Sequence, residues 1–316
     1  MYPISRKLLM GAVLCLICAP VIGQSAFPVN YDVIRKSVVF LYSKGADGAT
    51  QPDGTGFLIG VPLRSSPNTG YLILVTARHM VDPSWSGCPS ASQGIVARFN
   101  KKVLDPNEAA SGTVDYDLPN GPPSTSNDPP TANNWIVSRD DSVDIAFTLL
   151  DPAKVESLGA DIGAIRIADF PRPDELSRMN TGSQVMSAGL VPGASGKQRN
   201  YPVFKFGYIS SRPEEKVSWK ACPVGSELHG TQWMIAASLV YGNSGSPILF
   251  VPVGFGGVSF GGTGRAVLIG VQSNAIVGWD IAGMAPIQFL IDSLKSINLP
   301  DADFSALAPI SHRGAI

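Results

Sequence analysis

Short apolar segments, separated by turn residues, constrain the fold of this chain more than any other feature of its sequence. The segments are rich in Val, Ile, Phe and Tyr, the residues that favour β-strands. Glycine and proline occupy 33 and 26 of the 316 positions, and this density of turn residues leaves room for few long helices. The sequence therefore predicts an all-β protein.

The apolar segments define individual elements. We expect strands at residues 33–42, 56–61, 71–76, 94–99, 143–150, 164–168, 184–189, 203–209, 232–237, 247–252 and 266–272. Between residues 286 and 297 apolar residues recur at intervals of three and four, which predicts a C-terminal helix. Residues 105–134 are rich in Pro, Asn, Ser and Gly, which is typical of a long surface insertion.

The distribution of charged residues and of histidines argues against some kinds of partner and ligand. Charged residues make up 16% of the chain and the net charge is −1, with both signs scattered, so no basic stripe is present to bind phosphates. We therefore do not expect nucleic acid to be a partner. The three histidines are dispersed, and no ligand cluster has the spacing of a zinc site. The sequence predicts neither a metal nor a cofactor.

The N-terminus has the pattern of a targeting signal. Arg6 and Lys7 precede an apolar run over residues 8–17, and small residues follow near residue 23. The run is shorter than the ~18 residues of a membrane span, and no later uncharged run reaches that length. We therefore expect residues 1–23 to be a signal peptide and the protein to be secreted or periplasmic, without a membrane span.

The predicted signal peptide determines how the four cysteines are interpreted. Cys15 and Cys18 lie in the apolar core of the predicted signal peptide, where they are ordinary apolar residues. Cys88 and Cys222 remain, and two cysteines left as a single pair in an oxidising compartment typically form a disulfide. The sequence predicts a disulfide between them, provided that the fold brings their Cα atoms to within bonding geometry.

Three segments carry residues suited to nucleophilic catalysis. His79 directly follows the strongly apolar segment 71–76, and Asp144 begins another apolar segment. Ser244 lies in a glycine-flanked turn, where the backbone amides of Gly242 and Ser244 can face one point beside the hydroxyl, as an oxyanion hole requires. Taken singly, each has an ordinary structural interpretation: a half-buried histidine, a strand-end acid and a tight turn.

Together the segments resemble a known family. T-A-R-H at residues 76–79, D-I-A at residues 144–146 and G-N-S-G-S-P at residues 242–247 occur in the chain order of the chymotrypsin-like (trypsin-like) serine peptidases. The glycine-rich segment 54–60 and the segment 270–273 also have counterparts in that family. The resemblance covers residues 33–297, and three motifs in order are far more specific than any one of them.

The resemblance implies two six-stranded antiparallel β-barrels packed side by side, with the site in the cleft between them and a terminal helix. The first barrel would span residues 27–155. The second barrel and the helix would span residues 156–299, and residues 300–316 would form a loosely held tail.

The resemblance also implies a serine endopeptidase that hydrolyses protein or peptide substrates through an acyl-enzyme. Ser244 would be the nucleophile, His79 its general base, and Asp144 the acid that orients the imidazole. His79 and Asp144 would belong to the first barrel and Ser244 to the second. The amides of Gly242 and Ser244 would form the oxyanion hole.

The resemblance also bears on substrate preference: in this family the residue six before the nucleophile lies at the base of the primary specificity pocket, and here that residue is Ser238. Ser273, Asn274 and Ala275 would form the pocket wall and pair with the extended substrate. A neutral serine argues against a demand for Lys or Arg, which requires a buried carboxylate, and favours small or apolar side chains. Ser238 as an ordinary strand-end hydroxyl remains an alternative.

The residue before the nucleophile, Asn243, bears on activation. In zymogen-activated members of the family an aspartate stands here and pairs with the newly formed N-terminal ammonium. A neutral amide cannot form that ion pair, so we expect no second cleavage after removal of the signal peptide, and we expect the turn to be ordered by Asn243's own hydrogen bonds.

A rival from another class is an inactive protease fold that serves as an adhesin or partner-recognition protein. Loss of activity usually appears as loss of one of the reacting side chains. Because His79, Asp144, Ser244 and Gly242 are all present, the sequence favours an enzyme.

Overall fold

The computed structural model describes residues 30–88, 94–103, 112–121, 123–125, 133–194, 196, 198–255, 258–260, 266–276 and 278–307. The predicted signal peptide lies outside the described residues, as do parts of the predicted insertion at 105–134.

Helices are short in the part of the chain that the structure describes. The α-helices are α1 (Tyr31–Ser37), α2 (Pro83–Ser86), α3 (Pro152–Ser157), α4 (Pro173–Arg178) and α5 (Ile287–Ser296). Single 3₁₀ turns occur at Arg78–Met80, Ile167–Asp169 and Pro192–Ala194. The expected C-terminal helix is confirmed as α5, whose apolar face is buried against the core.

The first half of the chain forms one eight-stranded sheet. Its strands are β1 (Val38–Lys44), β2 (Thr50–Pro62), β3 (Gly70–Thr76), β4 (Ile95–Asn100), β5 (Thr113–Asp117), β6 (Ile136–Val137), β7 (Ala146–Leu150) and β8 (Ile165–Arg166). The order across the sheet is β5-β4-β1-β2-β3-β7-β6, with antiparallel neighbours, and β8 pairs with β2 in parallel.

The second half forms a closed antiparallel barrel. The strands that follow are β9 (Gln184–Gly189), β10 (Val203–Ser211), β11 (Val217–Trp219), β12 (Leu228–Gly230), β13 (Trp233–Ala236), β14 (Pro247–Phe250), β15 (Val253–Phe255), β16 (Val258–Phe260), β17 (Val267–Ile276) and β18 (Ile281–Pro286). The barrel order is β10-β13-β18-β17-β14-β9, while β11 with β12 and β15 with β16 form separate hairpins.

Two closed barrels were expected. The second unit forms a closed barrel, whereas the first unit forms a sheet that does not close. The first sheet has eight strands, and its ends, β5 and β6, do not pair with each other. The Leu118 amide donates to the Ile95 carbonyl and so continues the pairing of β5 with β4, whereas Ser124, after β5, exchanges backbone hydrogen bonds with Trp135 and Val137 at β6. Because β6 is two residues long, it cannot offer a full ladder to β5.

Residues 33–37, expected as the start of a strand, are helical. The side chain of Asn30 accepts a hydrogen bond from the amide of Val33 and so caps α1. Asp32 in the first turn and Arg35 in the last turn also stabilise α1, because their charges interact favourably with the helix dipole. These end effects outweigh the β-branched residues that predicted a strand, and β1 begins at Val38.

One apolar cluster extends through both units. It includes Phe57 and Val75 of the first sheet, Ile248 and Val271 of the barrel, and Leu290 of α5, all fully buried. The two units are therefore packed against each other through a shared core, which fixes the ends of their strands relative to one another.

The segment after α5 was expected to be a loose tail, but its described part is packed. Ala302 is buried and forms a β-bridge with Leu63, and the Asp303 amide donates to the Pro62 carbonyl. Residues 308–316 of the predicted tail lie outside the described residues. Within the described ranges, no helix is long and apolar enough to cross a membrane.

Candidate active site

His79 and Asp144 form a buried pair at the ends of two neighbouring strands. His79 follows β3 in the 3₁₀ turn Arg78–Met80, and Asp144 lies just before β7. Because Thr76 pairs with Ala146, the end of β3 and the start of β7 lie side by side. Nδ1 of His79 is 2.8 Å from Oδ2 of Asp144, and the His79 amide donates to Oδ1 at 2.9 Å.

The pair is polarised by its environment. An ionised carboxylate only accepts hydrogen bonds, so Nδ1 of His79 is the donor and Nε2 holds the free lone pair. Burial opposes protonation of His79, but the charge and hydrogen bond of Asp144, with a smaller contribution from Asp53, raise its pKa. Burial also opposes ionisation of Asp144, but the charge of His79 and hydrogen bonds from His79 and Ser273 lower its pKa.

Ser244 is connected to this pair through Ser273. The hydroxyl of Ser244 donates to the carbonyl of Ser273 at 3.2 Å. The hydroxyl of Ser273 in turn donates to Oδ2 of Asp144 at 2.5 Å. The structure thus brings the three predicted reacting residues into one network, although among the described residues no hydrogen bond joins Ser244 directly to His79.

Thr55 on β2 ties the turn that carries Ser244 to the first sheet. Its amide donates to the Ser244 carbonyl at 2.9 Å, and its hydroxyl donates to the Gly242 carbonyl at 2.6 Å. Its own carbonyl accepts a hydrogen bond of 2.7 Å from the hydroxyl of Thr76, at the end of the strand that leads to His79. The position of the turn is therefore set by the first sheet as well as by the barrel.

The backbone of the turn requires glycine on both sides of Ser244. Gly242 and Gly245 have φ angles of 91° and 86°, in the left-handed region. A Cβ at Gly245 would also collide with the carbonyl oxygen of Thr55. The amides of Gly242 and Ser244 donate to no other group in the part of the chain that the structure describes. Both are thus available to an anionic oxygen.

Asn243 is 1% exposed and holds the turn from within. Its Oδ1 accepts from the Val240 amide at 3.0 Å and from Nζ of Lys205 at 3.1 Å. Its Nδ2 donates to the Leu190 carbonyl at 2.9 Å. The side-chain amide of Asn243 thus takes part in three hydrogen bonds that order the turn.

The predicted pocket residues have different environments. Ser238 is exposed, and its carbonyl accepts a hydrogen bond of 2.7 Å from Nζ of Lys205. The side chain of Ser273 is fully buried against Asp144, which leaves only its backbone for a substrate. Asn274 and Ala275 are half-buried at a bulge where β17 pairs with β18.

A hydrogen bond between Tyr241 and Asp53 spans the two units beside the turn. The hydroxyl of Tyr241 donates to Oδ1 of Asp53 at 2.6 Å, although 72% of the tyrosine is exposed. Burial of the hydroxyl, this hydrogen bond and the charge of Asp53 raise the pKa of Tyr241 to about 12. Tyr241 precedes Gly242, so the contact fixes the rim of the site.

Arg78 anchors the segment that carries its neighbour His79. Its guanidinium is almost fully buried, and it donates to Asp82 at 3.1 Å and to Asp141 at 2.8 Å. It also lies 4.6 Å from the centre of the Trp85 ring, a cation–π distance. The loop before Asp144 is thereby joined to the turn of His79.

The predicted disulfide between Cys88 and Cys222 is confirmed. Their Cα atoms are 6.0 Å apart, within ordinary disulfide geometry, although 134 residues separate them in the sequence. Cys88 follows α2 in the first unit, and Cys222 lies in the β11–β12 hairpin of the second. The Ser226 amide also donates to the Ser86 carbonyl, so the hairpin is fastened beside the site.

Thr55, Arg78 and Lys205 were not predicted as functional residues. Thr55 stands in the glycine-rich segment 54–60, which was a signal for the family without a role for the residue. Nothing in the sequence around Lys205 indicates its contact, because the contact depends on barrel closure. Among the described residues, no group of three or more His, Cys, Asp or Glu could hold a metal ion.

Comparison with solved structures found similar proteases. The Rv3671c protease from M. tuberculosis in its active form matches 94% of this chain and 94% of its own, with a TM-score of 0.47 and 17% sequence identity. A serine-to-alanine mutant of Rv3671c in an inactive form matches 88% of this chain and 96% of its own, with a TM-score of 0.43 and 16% identity. No protein-family model matches the chain, and neither does any curated protein.

The architecture is consistent with a chymotrypsin-like fold. The features in common with that fold are the closed six-stranded antiparallel barrel, the mainly antiparallel sheet packed beside it and the small C-terminal helix.

Proposed function

We propose that this protein is an exported serine endopeptidase that acts through Ser244, His79 and Asp144. The observation that carries the proposal is the buried pair of His79 and Asp144, 2.8 Å apart and joined through Ser273 to the hydroxyl of Ser244. A buried, ionised carboxylate that orients an imidazole is the arrangement a serine needs to lose its proton.

The reaction follows from these positions. Nε2 of His79 accepts the proton of Ser244 as its oxygen attacks the substrate carbonyl, and Asp144 stabilises the imidazolium that forms. The amides of Gly242 and Ser244 donate to the oxyanion of the tetrahedral intermediate. His79 then protonates the leaving amine, and water hydrolyses the acyl-enzyme by the same route. The Ser244 hydroxyl must first turn away from the Ser273 carbonyl.

The rival function, an inactive protease fold that binds a partner, has one observation in its favour. In this conformation the Ser244 hydroxyl donates to a backbone carbonyl and not to His79. A serine held permanently in that way would not be nucleophilic, and the protein would then act through its surface alone.

Labelling with a fluorophosphonate separates the two functions, because the reagent reacts only with an activated serine. We expect stoichiometric labelling at Ser244 in the folded protein, no labelling of Ser244→Ala, and cleavage of casein by the wild type. Folded wild-type protein that takes no label would refute the enzyme and favour the binding protein.

Export is the other part of the proposal. The Cys88–Cys222 disulfide supports it, because disulfides persist mainly in oxidising compartments. We propose that residues 1–23 are removed on export. The expected boundary between the units, at residues 155 and 156, falls too early, because β8 (Ile165–Arg166) pairs with β2 in the sheet of the first unit. Intact mass measurement of the protein recovered outside the cytoplasm tests the cleavage, and an unprocessed cytoplasmic product would contradict it.

A further inference from the structure

A single ammonium group contacts both ends of the loop that leads to Ser244. Nζ of Lys205, on β10, donates to the carbonyl of Ser238 at 2.7 Å and to Oδ1 of Asn243 at 3.1 Å. Tyr241 and Gly242 lie between those two acceptors in the sequence. The ammonium therefore joins the two ends of residues 238–243 by hydrogen bonds. We call this segment the nucleophile loop.

The charge of Lys205 is not neutralised by an acid. Among the ion pairs of the described residues none includes Lys205, and both of its acceptors are neutral oxygens. Burial lowers its pKa, and no opposing carboxylate contributes. A partly buried ammonium without a counter-charge costs free energy, which hydrogen bonds to strong acceptors offset.

The network defines the orientation of the Asn243 amide. Lys205 and the Val240 amide are both donors, so the side-chain atom that they share must be the oxygen. The nitrogen then faces the Leu190 carbonyl, which can only accept. All three contacts are satisfied by one orientation, and Lys205 supplies the only charged donor among them.

The contacts of the Asn243 side chain also affect the backbone amides of the proposed oxyanion hole. Asn243 is joined through its two peptide bonds to Gly242 and Ser244, whose amides would bind the oxyanion. The Ser244 amide belongs to the peptide bond that follows Asn243, so fixing the Asn243 side chain restricts its direction. The Gly242 amide belongs to the peptide bond with Tyr241, inside the segment that Lys205 closes, and that closure restricts it. We propose that Lys205 is a positioning residue, which holds the nucleophile loop in its reactive conformation by hydrogen bonds to Ser238 and Asn243. This role rests on the proposed peptidase function.

The test compares Lys205→Met, which keeps the length and apolar stem but removes the ammonium, with Lys205→Arg, which keeps a charged donor. Lys154→Met, on α3 of the first unit, is the matched control for loss of a lysine charge. Hydrogen exchange of residues 238–246 reports loop order, and the rate of fluorophosphonate labelling and p-nitrophenyl acetate hydrolysis report reactivity.

For Lys205→Met we expect faster exchange in residues 238–246 and a fall in labelling rate of about 10-fold or more, the effect of losing charged hydrogen bonds. The loss should be in kcat with little change in KM, and Lys205→Arg should recover most of it. Lys154→Met should behave as the wild type in both measurements.

Unchanged exchange and unchanged labelling in a folded Lys205→Met protein would overturn the proposal. So would an equal loss in Lys205→Arg and Lys205→Met, because the charge would then not matter. If Lys205→Met fails to fold by circular dichroism, Lys205→Gln takes its place. Wild-type protein that takes no label refutes the peptidase, whereas the exchange measurement still decides whether Lys205 orders the loop.

Discussion

The hydroxyl of Ser273 donates to Oδ2 of Asp144 at 2.5 Å, the same oxygen that accepts from Nδ1 of His79 at 2.8 Å. Ser273 lies on β17 of the closed barrel, whereas His79 and Asp144 lie at strand ends of the first unit. The contact thus aligns the two units at the site. It also supplies one of the hydrogen bonds that keep the buried carboxylate ionised.

Removing that hydroxyl should impair the reaction more than the fold. We expect Ser273→Ala to slow fluorophosphonate labelling of Ser244 by about 10-fold, because a buried carboxylate loses a charge-assisted hydrogen bond. Ser37→Ala on α1, which removes another fully buried hydroxyl, is the control and should label at the wild-type rate. Equal rates for the two variants would show that Ser273 does not support Asp144.

The rate of labelling should depend on the protonation of His79. Only neutral His79 can accept the serine proton, and its pKa is raised above the usual 6.5. We therefore expect the labelling rate to fall as the pH decreases through a value above 6.5. A rate that stays constant down to about pH 5 would contradict the role of His79.

Asp53 should modify that pH dependence, because its charge contributes to the raised pKa of His79. We expect Asp53→Asn to lower the pKa, so that labelling persists to lower pH than in the wild type. Asp47→Asn, in the turn between β1 and β2, removes the same charge and serves as the control. A profile for Asp53→Asn that coincides with the control would exclude the electrostatic effect.

Ser244 and His79 should act as one unit. We expect Ser244→Ala and His79→Ala each to reduce proteolysis by a similar large factor, with the double variant no worse, because triad losses do not multiply. The measurement is kcat/KM on a fluorogenic peptide mixture, with circular dichroism to confirm folding. A single variant that retains more than about a tenth of wild-type activity would exclude that residue from the chemistry.

The disulfide should stabilise the protein by about 2 to 5 kcal/mol, because it closes a long loop in the unfolded chain. Its loop spans 134 residues and joins the two units. We expect Cys88→Ser to unfold at lower urea concentration than the oxidised wild type, and to match wild type reduced with dithiothreitol. Equal midpoints for oxidised and reduced protein would show that the bond contributes nothing to stability.

A free N-terminus should not be required for activity. Asn243 is held by Val240, Lys205 and Leu190, so its environment needs no ammonium from a cleaved terminus. We expect residues 24–316 with an uncleavable N-terminal extension to label and turn over like the unextended protein. Activity that appears only after the extension is removed would refute this prediction.

Local sequence patterns were sufficient for most elements of the fold. Alternating apolar residues and turn signals located strands such as β9 at residues 184–189, and three-to-four spacing located α5. These patterns work because they depend on neighbours in the chain. They misassigned residues 33–37, where the cap at Asn30 decided between a helix and a strand.

The motifs pointed to His79, Asp144 and Ser244 because a reacting side chain needs a particular local backbone: a strand end for the first two and a glycine turn for the third. They could not show that the first sheet remains open. Closure requires β5 and β6 to pair, and β6 is only two residues long, which no motif in the sequence indicates.

The amino-acid sequence by itself determined the all-β character, the cysteine pair and the residues that could react. Only the tertiary structure decided that Ser273 faces Asp144, that Thr55 holds the turn, and that Lys205 reaches Asn243. The physical reason is that these contacts join residues distant in sequence, 129 apart for Ser273 and Asp144. Their geometry is set by barrel closure and by the packing of the two units, which no local pattern encodes.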